Sequence, residues 1–120
     1  TVRENMLYGL SDRGLTDDDL QRALDAVGLT IPLDRNVGHR GEEISTGQRK
    51  LIYLAKSLLQ NNPVLIVDEL TANLDDETAA EVLNRLDIVA AGKVLIFVSH
   101  DPPASFRFDR TLIVSAGSVQ

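Results

Sequence analysis

Two uninterrupted apolar runs, Val64-Leu65-Ile66-Val67 and Val94-Leu95-Ile96-Phe97-Val98, constrain this chain more than any other feature. Each is short and carries no polar residue to mark a wet face. Each therefore reads as a strand covered on both faces. Between them, residues 76–91 place Ala79, Val82, Leu83, Leu86 and Val89 at helical spacing, and Gly92 supplies a stop. Strand, helix, strand is the unit of a parallel sheet with a right-handed crossover. Residues 111–114 read as a third strand. Ala116-Gly117 is a turn signal that sends Ser118-Val119-Gln120 back as a hairpin arm.

The first 60 or so residues have a different texture. Residues 1–9 read as a short helix that stops at Gly9, and residues 11–15 as a polar loop. Thr16 is a good helix cap, and Asp17, Asp18 and Asp19 put negative charge on the first turn, where the helix dipole favours it. Leu20, Ala23, Leu24 and Val27 follow at helical spacing, and Gly28 ends that helix. Residues 29–43 form a connector with Pro32, Gly38 and Gly41, on which His39 reads as solvated. A helix then starts near Ser45 with Leu51, Leu54, Ala55, Leu58 and Leu59 on one face, and Asn61-Asn62-Pro63 breaks it. The expected division is a helical part, 1–61, and a strand-and-helix part, 62–120.

Composition limits the chemistry. At 43% hydrophobic the chain can build a core, and a net charge of −6 makes nucleic acid an unexpected main partner. There is no cysteine, which excludes disulfides, zinc–thiolate sites and cysteine nucleophiles from these residues. No apolar run approaches the ~18–20 residues of a membrane helix. The chain opens on Thr1 and runs directly into Val2-Arg3-Glu4-Asn5, as if read from inside a longer protein.

Three places carry residues suited to chemistry. Asp68-Glu69 follows the first apolar run directly, and ligands of open α/β sheets bind outside the carboxyl ends of the strands. An aspartate there can hold Mg²⁺ through water, and an adjacent glutamate can orient or deprotonate an attacking water. The same pair could equally cap a neighbouring helix. Ser99-His100 ends the second run; a histidine there can reach a phosphate, or can simply be hydrogen-bonded in a loop. Ser45-Thr46-Gly47-Gln48 opens a helix, where N–H groups and the dipole favour anions. Ser-x-x-Gln is also a capping box, which explains Ser45 and Gln48 but gives no reason for Gly47 in a first turn, where glycine costs stability.

Taken together and in this order, these stretches resemble the ATPase domain of ATP-binding cassette (ABC) proteins. Ile44 to Gln48 resembles the family's signature loop, usually Leu-Ser-Gly-Gly-Gln. Val64 to Glu69 resembles the Walker B strand with its catalytic glutamate. Ala72-Asn73-Leu74-Asp75 resembles the D-loop, and Ser99-His100 the switch histidine. Thr1 to Asn5 is similar to a segment soon after the Q-loop of exporter-type members. Val37-Gly38-His39-Arg40-Gly41 resembles their X-loop, which contacts coupling helices of the transmembrane domain. There are departures. Thr46 stands where glycine is usual, Leu70 replaces a common proline, His39 replaces the X-loop glutamate, and the connector before Ile44 is shorter. No Gly-x-x-x-x-Gly-Lys-Ser/Thr phosphate loop occurs in the chain.

The resemblance implies an α/β fold: an incomplete P-loop NTPase (RecA-like) parallel-sheet core plus the ABC helical subdomain, with the phosphate loop before residue 1. It implies ATP and Mg²⁺ as ligands and Asp68 holding the metal through water. Glu69 and His100 would then be catalytic, and Ser45, Thr46, Gly47 and Gln48 would meet the ATP held by a second nucleotide-binding domain. Asp75 would cross the interface between the two domains. It further implies a transmembrane partner and a place on the cytoplasmic side of a membrane, with these 120 residues alone inactive. Two other readings remain open: a soluble ABC ATPase acting on chromosomes or ribosomes, and a degenerate cassette that only completes a partner's site.

Overall fold

The computed structural model describes residues 1–10, 13–115 and 117–120. Its elements follow in the order α1 (Val2–Leu7), α2 (Asp17–Ala26), α3 (Thr46–Gln60), β1 (Val64–Asp68), α4 (Asp76–Ala90), β2 (Val94–Val98), β3 (Val114–Ser115) and β4 (Ser118–Val119), with a 3-10 turn at His39–Gly41 before α3. The loop expected over residues 11–15 includes Ser11 and Asp12, and the expected final turn includes Ala116; these three lie outside the described residues.

The helices begin where side chains can satisfy their free N–H groups. At α2 the Thr16 hydroxyl accepts from the Asp19 N–H, and the Asp19 carboxylate accepts from the Thr16 N–H at 2.8 Å. Asp19 of the aspartate run is therefore the capping partner, and Asp17 and Asp18 add negative charge to the same first turn. Helix α3 ends at Asn61, which adopts the left-handed conformation (φ 49°). The Arg13 guanidinium donates to the Leu59 and Gln60 carbonyls there, at 3.2 and 2.8 Å. Arg3 forks across the Asp17 carboxylate with bonds of 2.9 and 2.8 Å and ties α1 to the start of α2.

Val2, Met6, Leu20, Leu24 and Leu54 are completely buried where α1, α2 and α3 meet. The same apolar cluster continues through Val82, Leu86 and Val89 of α4 to Leu65 and Val67 of β1. Strands β1 and β2 pair in parallel, with Val64 opposite Val94 and Asp68 opposite Val98. This confirms the strand–helix–strand unit around α4.

One expectation needs correction. The strands are covered on one face only: Leu65 and Val67 point inward, while Val64, Ile66, Val94, Ile96 and Val98 are exposed. Parallel sheets ordinarily carry helices on both faces. Among the described residues, only one face is packed. The third strand, expected over residues 111–114, is Val114–Ser115, and the expected return arm pairs with it as the antiparallel hairpin β3–β4 across Gly117 (φ 78°), with Val114 opposite Val119. Ile113 and Gln120 extend the ladder by exchanging bonds of 2.9 and 2.8 Å. The local turn decides the pairing, because a two-residue strand close to its partner closes a far smaller loop than one reaching β2.

Candidate functional site

The carboxyl ends of β1 and β2 lie side by side, so the residues that follow each strand meet there. Asp68 closes β1 with its side chain exposed. The next residue, Glu69, turns the chain sharply with φ 48°, a left-handed conformation that costs a non-glycine residue about 1–3 kcal/mol. Four bonds hold it. Its N–H donates to the Val98 carbonyl at 2.9 Å, and its own carbonyl accepts from the Ala72 N–H at 3.2 Å. The same carbonyl accepts from the Lys50 ammonium at 3.0 Å. Its carboxylate Oε1 accepts from the His100 N–H at 2.9 Å.

Glu69 and His100, separated in sequence, are thus brought together. The His100 imidazole is fully exposed, with Nε2 3.9 Å from the same Glu69 oxygen. The ring is free to turn toward a ligand while its main chain fixes the glutamate.

At the start of α3, Ser45 and Gln48 cap each other's N–H groups, at 3.1 and 3.0 Å. The capping box is real, and Gly47 now has a reason of its own. It is buried, and a Cβ at that position would stand 2.7 Å from the Thr78 methyl of α4. Glycine is required by the close approach of two helices. Thr46 is half-buried, and its hydroxyl accepts from Arg49 at 3.0 Å. A second amine of Arg49 reaches the Arg40 carbonyl at 3.4 Å, joining the 37–41 loop to the helix start.

Asp75 caps α4. Its carboxylate accepts from the Thr78 N–H at 2.9 Å and from the Thr78 hydroxyl at 2.7 Å. The Thr78 N–H, then the hydroxyl, hold the carboxyl below the usual aspartate range. Thr78 therefore touches both Asp75 and the space over Gly47.

A groove of about 650 Å³ opens between α3 and β1, lined by Thr46, Lys50, Ile66, Asp68, Glu69 and Asn73. Among the described residues no cluster of three or more His, Cys, Asp or Glu side chains could hold a metal alone. The donor set still fits Mg²⁺. That ion takes one or two carboxylates and completes its shell with water and substrate phosphates, and Asp68 offers an exposed carboxylate at a strand end.

Sequence reasoning missed Lys50 and Thr78. Neither lies in the motif positions, and both act through contacts with elements distant in sequence. The clue for Thr78 was the unexplained Gly47.

The family model "ABC transporter" matches residues 1–72. The chain belongs to the ABC transporter family. Its curated relatives include a multidrug resistance ABC transporter ATP-binding and permease protein of Lactococcus lactis subsp. cremoris, 32% identical over 99% of this chain and 21% of the relative. An ATP-dependent lipid A-core flippase of Vibrio vulnificus is 30% identical, again over 99% of this chain and 21% of the relative. The transport/processing ATP-binding protein ComA of Streptococcus pneumoniae is 32% identical over 99% and 17%. The chain thus spans about a fifth of the length of these ABC relatives. The P-loop NTPase fold of the family accords with the parallel β1–β2 pair and with the ATP-binding character of the relatives. Among the described residues no helix is long and apolar enough to cross a membrane.

Proposed function

We propose that these residues are part of the ATP-hydrolysing domain of an ABC exporter, working from the cytoplasmic side of a membrane and coupled to a transmembrane partner. The observation that carries this reading is the meeting of Asp68, Glu69 and His100 at the carboxyl ends of two parallel strands, with Glu69 Oε1 2.9 Å from the His100 N–H. Relatives named as joint ATP-binding and permease proteins, and as a flippase, favour export over a soluble role.

The reading divides the molecule into a helical subdomain, 1–61, and part of a RecA-like core, 62–120. Asp68 would hold Mg²⁺ through water, and the ion would neutralise charge on the phosphates. Glu69 orients the attacking water and takes its proton as the bond to the β–γ bridging oxygen breaks. His100 steadies the γ-phosphate. Catalysis of this kind is chiefly positioning and charge stabilisation. Ser45, Thr46, Gly47 and Gln48 face the ATP of a second nucleotide-binding domain, and Asp75 links the two sites. Because the 120 residues contain no phosphate loop, they do not hydrolyse ATP alone.

Glu69→Gln in the full-length protein tests this directly. Removing the general base should lower steady-state ATP turnover by about 100-fold or more. Turnover within about threefold of the unchanged protein would sink the assignment of Glu69.

A further inference from the structure

We infer that Lys50 is a positioning residue for Glu69, and that it joins the two half-sites this chain contributes. The inference rests on the reading in which Glu69 orients the attacking water. Lys50 lies in the second turn of α3, the helix whose first turn is the signature-like loop. Its ammonium donates to the Glu69 main-chain carbonyl at 3.0 Å in a partly buried setting. One turn further along α3, the Tyr53 hydroxyl donates to the Ile66 carbonyl at 2.9 Å. The helix is therefore pinned to β1 and its end by two side chains that reach main-chain oxygens.

The Lys50 bond matters more than the Tyr53 bond because of what it holds. Glu69 is left-handed at φ 48°, where a residue with a Cβ stays only if its surroundings fix it. Its carboxylate direction follows from that turn, and the bond from the His100 N–H depends on it. A charged donor makes a hydrogen bond roughly twice as strong as a neutral one. Partial burial also protects it from salt screening. Without the ammonium, among the described residues only the Ala72 N–H at 3.2 Å remains on that carbonyl. The peptide can then relax toward ordinary φ and carry the carboxylate with it. Lys50 does not touch the reacting atoms, so its loss should slow the chemical step and leave ATP affinity intact.

The test is ATP turnover by the full-length protein with Mg²⁺, comparing Lys50→Met, Lys50→Gln, Lys50→Arg and Glu69→Gln. A misplacement of about 1 Å can cost a large factor in rate, and about tenfold in kcat is expected for Lys50→Met and Lys50→Gln. The KM for ATP should stay within about twofold, since ground-state binding is untouched. Lys50→Arg keeps a charged donor and should lie within about threefold of the unchanged protein. Two neutral variants are used so that one failing to fold does not remove the readout. If kcat falls less than about threefold, if KM rises with it, or if Lys50→Arg is no better than Lys50→Met, the inference is overturned. An inactive Glu69→Gln beside an unaffected Lys50→Met rejects the role of Lys50 alone. An active Glu69→Gln rejects the reading of the site and this inference with it.

Discussion

In the stretch up to Gln60, Val2, Met6, Leu20, Leu24 and Leu54 are fully buried among three helices, and the exposed Tyr8 and Tyr53 are exceptions that carry a hydroxyl. In β1 and β2 the opposite face of each strand is open, with Val64, Ile66, Val94, Ile96 and Val98 between 44% and 60% exposed. The difference is not one of residue type, since both faces of both strands are apolar. The helices have an amphipathic sequence and a structure that matches it. The strands have a sequence suited to two covered faces and a structure that covers one. Sequence pattern therefore reports the environment a segment is built for, and here that environment exceeds what the described residues supply.

The largest expected effect separates the two regions by stability. Leu54→Ala should cost about 2–5 kcal/mol in urea unfolding of the 120-residue chain, because it empties a fully packed site. Ile96→Ala, on the open face, should cost less than about 1 kcal/mol in the same chain. In the full-length protein the Ile96→Ala cost should rise toward about 2 kcal/mol, if more protein lies over that face. Equal costs for the two substitutions in the 120-residue chain would break the contrast and mean that the open face is covered there, for example by self-association. Repeating the measurement at two protein concentrations identifies that case.

The same contrast explains what could be read in advance. Caps and periodicity are local, so the boundaries set by Thr16, Ser45, Asn61 and Gly92 follow from the sequence with little error. The carboxyl ends of β1 and β2 were also legible, because each short apolar run stops at a polar pair, Asp68-Glu69 or Ser99-His100. The hairpin arm was legible too, because its turn signal is local and Val114 pairs with Val119 as that signal indicates. The left-handed φ of Glu69 has no signal, since nothing in a glutamate marks it. Lys50 sits off the apolar face of α3, and its long stem could reach many acceptors. Gly47 gave a signal without an answer, because the methyl that excludes a Cβ belongs to Thr78 on another helix.

That last contact supplies the next test, at the seam where the helical stretch meets the strand-bearing one. Gly47→Ala should raise helix propensity slightly but force α3 and α4 apart, for a net loss of about 1–2 kcal/mol. Thr78→Ser removes the offending methyl and keeps the hydroxyl that bonds Asp75. The double variant should recover most of the loss, giving a coupling of about 1 kcal/mol in a double-mutant cycle. An additive cycle would mean that the seam adjusts freely and that Gly47 is not held by packing.

The smallest effect is electrostatic, and it runs against the contrast in burial. Asp17 and Asp19, both in the helical stretch, have carboxyls held below their ordinary values. The causes are, in turn, the Arg3 guanidinium and the Thr16 N–H. Asp75 in the second stretch is held low by the Thr78 N–H. A carboxyl with a depressed folded pKa adds stability that is present above its unfolded pKa, about 4, and is lost as pH falls toward the folded value. Stability against urea should therefore be unaffected by these groups between pH 7 and about 5 and decline below about 4. The better-packed helical stretch carries two of the three groups, so its helices should loosen first in acid. Asp75→Asn keeps an acceptor for the Thr78 N–H and cannot titrate, so it should remove only a minor part of the decline. Arg3→Gln, which releases Asp17, should remove a part of similar size. Amide hydrogen exchange at pH 3.5 against pH 6 reads the order directly: faster opening of α2 than of α4 is expected, and faster opening of α4 would mean that the open sheet face, not charge, governs acid stability.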